Sequence, residues 1–202
     1  MSKVVVFDLG NVLIKWAPEV ALASFFETEA DMTETLKKID FGAWNKEQDR
    51  GRNWDDAVAI GAAAHPEHAQ LFAAYRDQLG PVHETAISGS VEILQQLYDE
   101  GAPLYAITNA SVRTAEIVHE LHDFMSLFRD VVVSGELNVL KPDAEIYRHF
   151  LGKHDLAADD CVFIDDSPHN VTGAEAVGMH GLVFTDPGKL AIDLQKHGFL
   201  AT

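Results

Sequence analysis

Asp8 closes the apolar, β-branched run Val4-Val5-Val6-Phe7, and a glycine, Gly10, follows two positions later. A carboxylate ending a strand buried on both faces is desolvated at a cost, and it persists where backbone N–H groups, a lysine or a metal compensate its charge. Asp8 is thus a candidate for chemistry, or else a turn or helix cap within Asp-Leu-Gly-Asn. Three more polar sites follow apolar runs: Thr108-Asn109, Lys141-Pro142 and Asp165-Asp166-Ser167. Adjacent carboxylates repel, and a hard cation such as Mg²⁺ relieves that repulsion with oxygen ligands. Two capping acids with no ion are the alternative.

The elements that must gather these sites fall into two kinds. From residue 16 to about residue 80 the pattern is helical, with Pro18 in the first turn of a helix and Val20, Leu22, Phe25 and Phe26 on one apolar face. A second helix is expected over residues 34–41, and Trp54, Val58 and Ile60 suggest a third. Leu71, Phe72, Tyr75 and Leu79 recur at helical spacing after Pro66. Beyond residue 86 strands alternate with helices. Ser88 is expected to cap a helix carrying Val91, Leu94, Leu97 and Tyr98 that Gly101 ends, and strands are expected at residues 104–107, 131–133, 162–164 and 181–184. Helices are expected from Ser111 or Val112 to about His119, from Pro142 to about Leu151, and over residues 171–177. This alternation predicts an α/β fold with a parallel sheet covered on both faces.

At 202 residues and 47% apolar composition, a substantial core is expected. The formal net charge of -17, from 32 acidic and 15 basic residues, argues against nucleic acid as a partner. The single cysteine, Cys161, sits in an apolar run and permits no intrachain disulfide. Neither a signal peptide nor an 18-residue apolar run is present, so a cytoplasmic location away from the membrane is expected.

Taken in order, Asp8-Leu9-Gly10-Asn11-Val12, Thr108-Asn109, Lys141-Pro142 and Ile164-Asp165-Asp166-Ser167 with Asn170 resemble the four motifs of the haloacid dehalogenase superfamily, most of whose members are phosphohydrolases. The resemblance covers nearly the whole chain. It implies a modified Rossmann-like parallel sheet of order 3-2-1-4-5, formed by residues 1–15 and 81–202, with a small helical cap, residues 16–80, inserted after the first strand. It also implies that Asp8 is the nucleophile of a covalent aspartyl intermediate. Thr108 would hold a transferring oxygen, Asn109 would brace the loop, and Lys141, placed at a helix start by Pro142, would neutralise the nucleophile and bound anion. Mg²⁺ would be held by Asp8, the Gly10 carbonyl and Asp166, with Asp165 supporting the site. Most phosphatases of this family carry a second Asp at the position of Gly10 as general acid and base, so the proton donor is unassigned here.

The implied substrate contacts are Asn11, Trp16, Trp44, Arg50, Thr108 and Asn109. The stretch Trp44-Asn45-Lys46-Glu47-Gln48-Asp49-Arg50-Gly51 resembles one in the family branch that includes a sugar-1-phosphate phosphatase. Arg50 would either reach a substrate anion with its forked donors or pin two cap helices together. The histidines lack metal-ligand spacing, and His169 alone is a candidate for proton transfer by position. A Mg²⁺-dependent phosphomonoesterase acting on a small anionic metabolite, such as a sugar phosphate, is the first expectation. An L-2-haloacid dehalogenase is the second, and a weakly active binding protein the third. The dehalogenases of this family have serine where Asp166 stands, which ranks the first ahead. A monomer or a homodimer is expected.

Overall fold

A computed structural model describes residues 3–200. The chain opens with β1 (Val4–Phe7), all four of whose side chains are buried. Six helices follow: α1 (Glu19–Leu22), α2 (Glu29–Lys38), α3 (Phe41–Asp49), α4 (Trp54–Ala64), α5 (Ala69–Asp77) and α6 (Leu79–Val82). The alternating half then runs α7 (Ser88–Asp99), β2 (Leu104–Thr108), α8 (Val112–Leu121), β3 (Asp130–Val133), α9 (Ser134–Leu137), α10 (Ala144–His154), β4 (Cys161–Asp165), α11 (Pro168–Glu175), β5 (His180–Val183) and α12 (Pro187–Lys196).

The five strands are parallel in the order β3-β2-β1-β4-β5, as expected. Central β1 pairs Val5 with Leu104 on one side and with Val162 on the other. Its period-2 alternation splits the core: Val5 and Phe7 pack with Leu94, Leu97 and Leu194, while Val4 and Val6 pack with Ile146, Phe150 and Phe163 on the opposite face. Each buried Val or Phe side chain is worth roughly 1.5–3 kcal/mol, which explains an unbroken apolar strand at the sheet centre.

The helical insertion has its own aromatic core, in which Trp44 lies 4.9 Å from Phe72 and 5.3 Å from Phe41, centroid to centroid. Its entering and leaving segments run side by side. Ile14 bridges Ala86 antiparallel, and the N–H groups of Lys15 and Ala17 donate to the carbonyls of Thr85 and Val82.

Several sequence expectations shift in phase. Helix α2 begins at Glu29 because the Thr28 hydroxyl accepts the Asp31 N–H, a side-chain cap that precedes the expected start by a full turn. Leu22 is buried as expected, but Val20 and Phe25 are exposed, and Ala21 joins Leu22 on the buried face of α1. In α4 the inward face is Trp54, Ala57 and Gly61, spaced by three and four, whereas Ile60 is 50% exposed. Ser88 lies inside α7 and makes no cap bond, and Tyr98 is exposed. Helix α10 starts at Ala144 rather than Pro142. Residues 140–143 form a turn around a cis Lys141-Pro142 peptide, closed by the Asp143 N–H on the Leu140 carbonyl at 2.9 Å. Helix α12 has no counterpart among the sequence expectations. Among the described residues, no helix is long and apolar enough to cross a membrane.

The α4 face gives a paired test. A Cβ at Gly61 would lie 2.7 Å from the Phe72 ring, so Gly61→Val should cost about 1–3 kcal/mol by overpacking. Ile60→Ala should stay within about 0.5 kcal/mol. Urea unfolding of both variants checks this, and a larger loss at Ile60 would reverse the assignment of the face.

Candidate active site

Three strands deliver their carboxyl ends to one point. Lys141 Nζ, with its side chain 0% exposed, lies 2.8 Å from Asp8 Oδ1 after β1 and 2.7 Å from Asp165 Oδ2 at the end of β4. It also donates to the Ile107 carbonyl in β2 at 2.9 Å. An ammonium bonded to all three tolerates complete burial because every donor is used. The turn carrying it is locked to β2 by a reciprocal pair: Asn109 Nδ2 donates to the Lys141 carbonyl (3.1 Å), and the Lys141 N–H donates to Asn109 Oδ1 (2.9 Å). Asn109 thus braces the loop. Because the turn precedes α10, this geometry and not a helix start positions the lysine.

Asp165 is fully committed. Its Oδ1 accepts the Ser167 N–H at 2.8 Å, and Asn170 Nδ2 reaches both oxygens at 3.0 and 3.1 Å. On Asp8, Oδ1 takes the Leu9 N–H (2.7 Å) and Lys141, which leaves Oδ2 with no partner among the described residues. Asp166 projects outward, and Asn11, held at φ 54°, hydrogen-bonds its side chain. Ligand atoms of Asp8, Asp165 and Asp166 all lie within 4.8 Å of one another. Three hard carboxylates around one lysine suit Mg²⁺, with the unpaired Asp8 oxygen and outward-facing Asp166 as the available donors.

The titrations reflect this crowding. Burial pushes the Asp8 carboxyl up to about 7 against the pull of Lys141, and Asp165 adds to the rise. Burial works against the charge on Lys141, but the two carboxylates outweigh it and hold its pKa above the ordinary value. Asp166 is raised by burial and by Asp165, with the Asn11 hydrogen bond opposing.

A cavity of about 380 Å³ opens over Asp8, between the sheet and the helical insertion. Asp8, Gly10, Asn11, Trp16, Thr108, Asn109 and Asp166 line it from the expected set. Trp44 and Arg50 do not. Helix α3 presents Gly42, Asn45, Lys46 and Asp49, at i, i+3, i+4 and i+7, to the cavity. Trp44 lies off this stripe, its Nε1 donating to the Ala57 carbonyl at 2.8 Å inside the aromatic core. Arg50 caps the helix one position past Asp49 and meets Glu47 at 3.8 Å. His169 is exposed and off the cavity, whereas His83 and Tyr75 line it. Tyr75 hydroxyl accepts the Trp16 indole N–H at 2.8 Å.

Two serines that sequence reasoning passed over dock the insertion on the sheet. Ser134 Oγ donates to the Asp49 carbonyl at 2.6 Å, and Ser111 Oγ accepts the Trp54 indole N–H at 3.0 Å. Gly51, at φ 102°, permits the close approach, since a Cβ there would lie 2.9 Å from the Gly135 carbonyl. The 3.6-residue period through Gly42 and Asp49 was the available signal for the cavity face. The serines carry none beyond Ser111 preceding a helix.

A family model described as haloacid dehalogenase-like hydrolase matches residues 2–178. The sesquiterpene phosphatase astK of Aspergillus oryzae is 29% identical over 196 residues, covering 96% of this chain and 95% of that protein. A phosphoglycolate phosphatase of Photobacterium profundum is 24% identical, covering 88% of this chain and 81% of its own length. Among solved structures, the magnesium-bound putative hydrolase YfnB of Bacillus subtilis superposes with a TM-score of 0.74 at 19% identity, covering 96% of this chain and 98% of that one.

Removing the buried ammonium leaves Asp8 and Asp165 facing each other uncompensated. Lys141→Met should therefore cost about 3–5 kcal/mol near neutral pH. Without Lys141 the Asp8 carboxyl, already raised by burial, rises further in the folded state, so stability is retained below its unfolded value and lost as pH climbs. Urea titrations should show the deficit shrinking toward about pH 4 and on adding Mg²⁺. At the cavity wall, Lys46→Ala should raise KM for a phosphorylated substrate about tenfold. Arg50→Ala should leave kcat/KM within about twofold. Steady-state kinetics on both variants decides which side of α3 meets substrate.

Proposed function

Because this chain belongs to the haloacid dehalogenase-like hydrolases, we propose that it is a Mg²⁺-dependent phosphomonoesterase that works through an aspartyl-phosphate intermediate. The observation that carries this reading is the convergence of Asp8, Asp165 and Asp166 around Lys141, with one Asp8 oxygen left unpaired. Asp8, Asp166 and the Gly10 carbonyl would hold Mg²⁺, which would supply charge neutralisation for a phosphate dianion. The protein's own groups do the rest. Lys141 fixes the Asp8 carboxylate, Thr108 with its neighbouring N–H groups cradles a transferring oxygen, and Asn109 holds the lysine turn in register. The proposed division is a core of residues 1–15 and 81–202 under a cap of residues 16–80, whose separate aromatic cluster supports it.

The organic part of the substrate meets Leu9, Ile14, Trp16, Tyr75, Ala115 and Val118. Such walls favour a phosphate ester whose alcohol carries apolar surface over a bare polyol, and the likeness to a sesquiterpene phosphatase points the same way. Lys46 and Asn45 remain as polar contacts at the cap wall. The dehalogenase reading has less support. Asp166 stands in the site, and a cation beside Asp8 would compete for the lone pairs needed to attack carbon.

The experiment is one matched assay of the purified protein with Mg²⁺ and with chelator. It measures phosphate release from an isoprenoid alcohol monophosphate, phosphoglycolate and sugar phosphates, and halide release from L-2-chloropropionate. Phosphate release that chelator suppresses, and that Asp8→Asn and Asp166→Ala abolish without lowering the melting temperature, is the expected result. Chelator-insensitive halide release would overturn it, as would Asp8→Asn retaining more than about a tenth of the parent rate.

A further inference from the structure

Gly10 leaves the reaction without the carboxyl that most family phosphatases use to protonate the leaving group, yet the cavity holds a carboxyl supplied by the cap. Asp49 ends the α3 stripe and lines the cavity together with Asp8 and Gly10. Its place is set from both sides: its carbonyl is held by the Ser134 hydroxyl at 2.6 Å, and its carboxyl accepts the Ser111 backbone N–H. Among the described residues no cation pairs with it. Lys141 is spent on Asp8 and Asp165, Arg50 meets Glu47, and Arg52 donates to Gln48 and the Trp44 carbonyl. Space is available as well, since a Cβ built at Gly10 meets nothing within 4 Å.

The other titratable candidate on the cavity wall fits the task poorly. His83 Nδ1 lies 2.8 Å from the Leu79 carbonyl, so that nitrogen carries the proton and Nε2 is an acceptor. Burial also lowers its pKa and keeps the ring neutral.

We propose that Asp49, delivered by the cap, is the general acid and base of this enzyme in place of a carboxyl at Gly10. The assignment rests on the phosphomonoesterase reading. As Asp8 attacks phosphorus and the bond to the ester oxygen breaks, the Asp49 carboxyl gives its proton to that oxygen and the alcohol leaves. The resulting Asp49 carboxylate takes a proton from the water that attacks the aspartyl-phosphate. The bond between phosphorus and Asp8 then breaks, phosphate departs, and Asp49 is protonated again. The surroundings are consistent with this cycle. Burial, with the charge of Asp8 next, pushes the Asp49 carboxyl up to about 7, opposed by Lys141 and the Ser111 N–H. Tyr75, Lys46 and Asp166 are the remaining titratable groups lining the cavity. An acid in that range suits proton transfer near neutral pH.

Leaving-group dependence tests the role. The parent and Asp49→Asn, whose amide oxygen still accepts the Ser111 N–H, are compared with Mg²⁺ by kcat/KM, which reports the steps up to loss of the alcohol and not the shared hydrolysis of the aspartyl-phosphate, on an alkyl phosphate and on 4-nitrophenyl phosphate, whose phenolate departs without a proton. The variant is expected to lose about 100-fold or more on the alkyl ester and less than about tenfold on the nitrophenyl ester. Equal losses on both esters, or no loss on either, overturn the acid assignment and leave the phosphatase reading intact. A parent that releases no phosphate from either ester overturns that reading and this one together. Should the variant melt early, the parent alone decides: a shallow dependence of kcat/KM on leaving-group pKa across substituted phenyl and alkyl phosphates supports a proton donor, and a steep one overturns it.

Discussion

The site depends on one buried ammonium. Lys141 joins the carboxyl ends of β1, β2 and β4 by ionic and carbonyl contacts of 2.7 to 2.9 Å. Two carboxylates at that depth would otherwise repel in a low-dielectric interior, where each unpaired charge costs several kcal/mol. The lysine makes their burial tolerable and fixes the rotamer of Asp8 before any ligand arrives. Its own position comes from Asn109 and the turn at residues 140–143, so the second and third motifs are mechanically one unit.

Electrostatics also explains how so acidic a chain holds a phosphate ester. With a formal charge of -17, the protein repels dianions at long range, and attraction must be local. Lys46 on the wall, Lys141 buried behind Asp8 and the cation suited to the three aspartates concentrate positive charge at a cavity that also carries the Asp49 carboxyl. In the proposed reading, specificity lies in the helical insertion, which brings α3 and Tyr75 to the cavity, while the sheet supplies the proposed reacting groups.

The sheet and its polar ends were legible because unbroken β-branched runs buried on both faces have few alternatives, and a polar residue ending each run is conspicuous. Asp8, Thr108 and Asp165 stand at such ends, whereas Lys141 follows only Val139-Leu140 and sits in a turn. The cap was harder to read. Its helices are short and their apolar residues numerous, so the identity of Ile60 or Val20 did not reveal which face packs inward; a small residue such as Gly61 or Ala57 against Phe72 does that work. At Arg50, where the sequence left open a substrate contact or a structural clamp, helical phase turns Asp49 and Lys46 to the cavity and leaves Arg50 with Glu47. Pro142 was misread as a helix opener because the turn it occupies depends on partners in β2, more than thirty positions earlier in the chain.

The topology places the central strand first in synthesis and its partners late. β1 pairs with residues 104–106 and 161–164, so nearly the whole chain must leave the ribosome before both its edges are covered. The helical insertion faces no such delay, because its aromatic cluster draws almost entirely on residues 21–82. Nascent chains should therefore carry a formed helical lobe tethered to an exposed Val-Val-Val-Phe edge. Pairing across such long sequence separations makes core assembly slow, and the waiting edge is where chaperone capture or aggregation would begin.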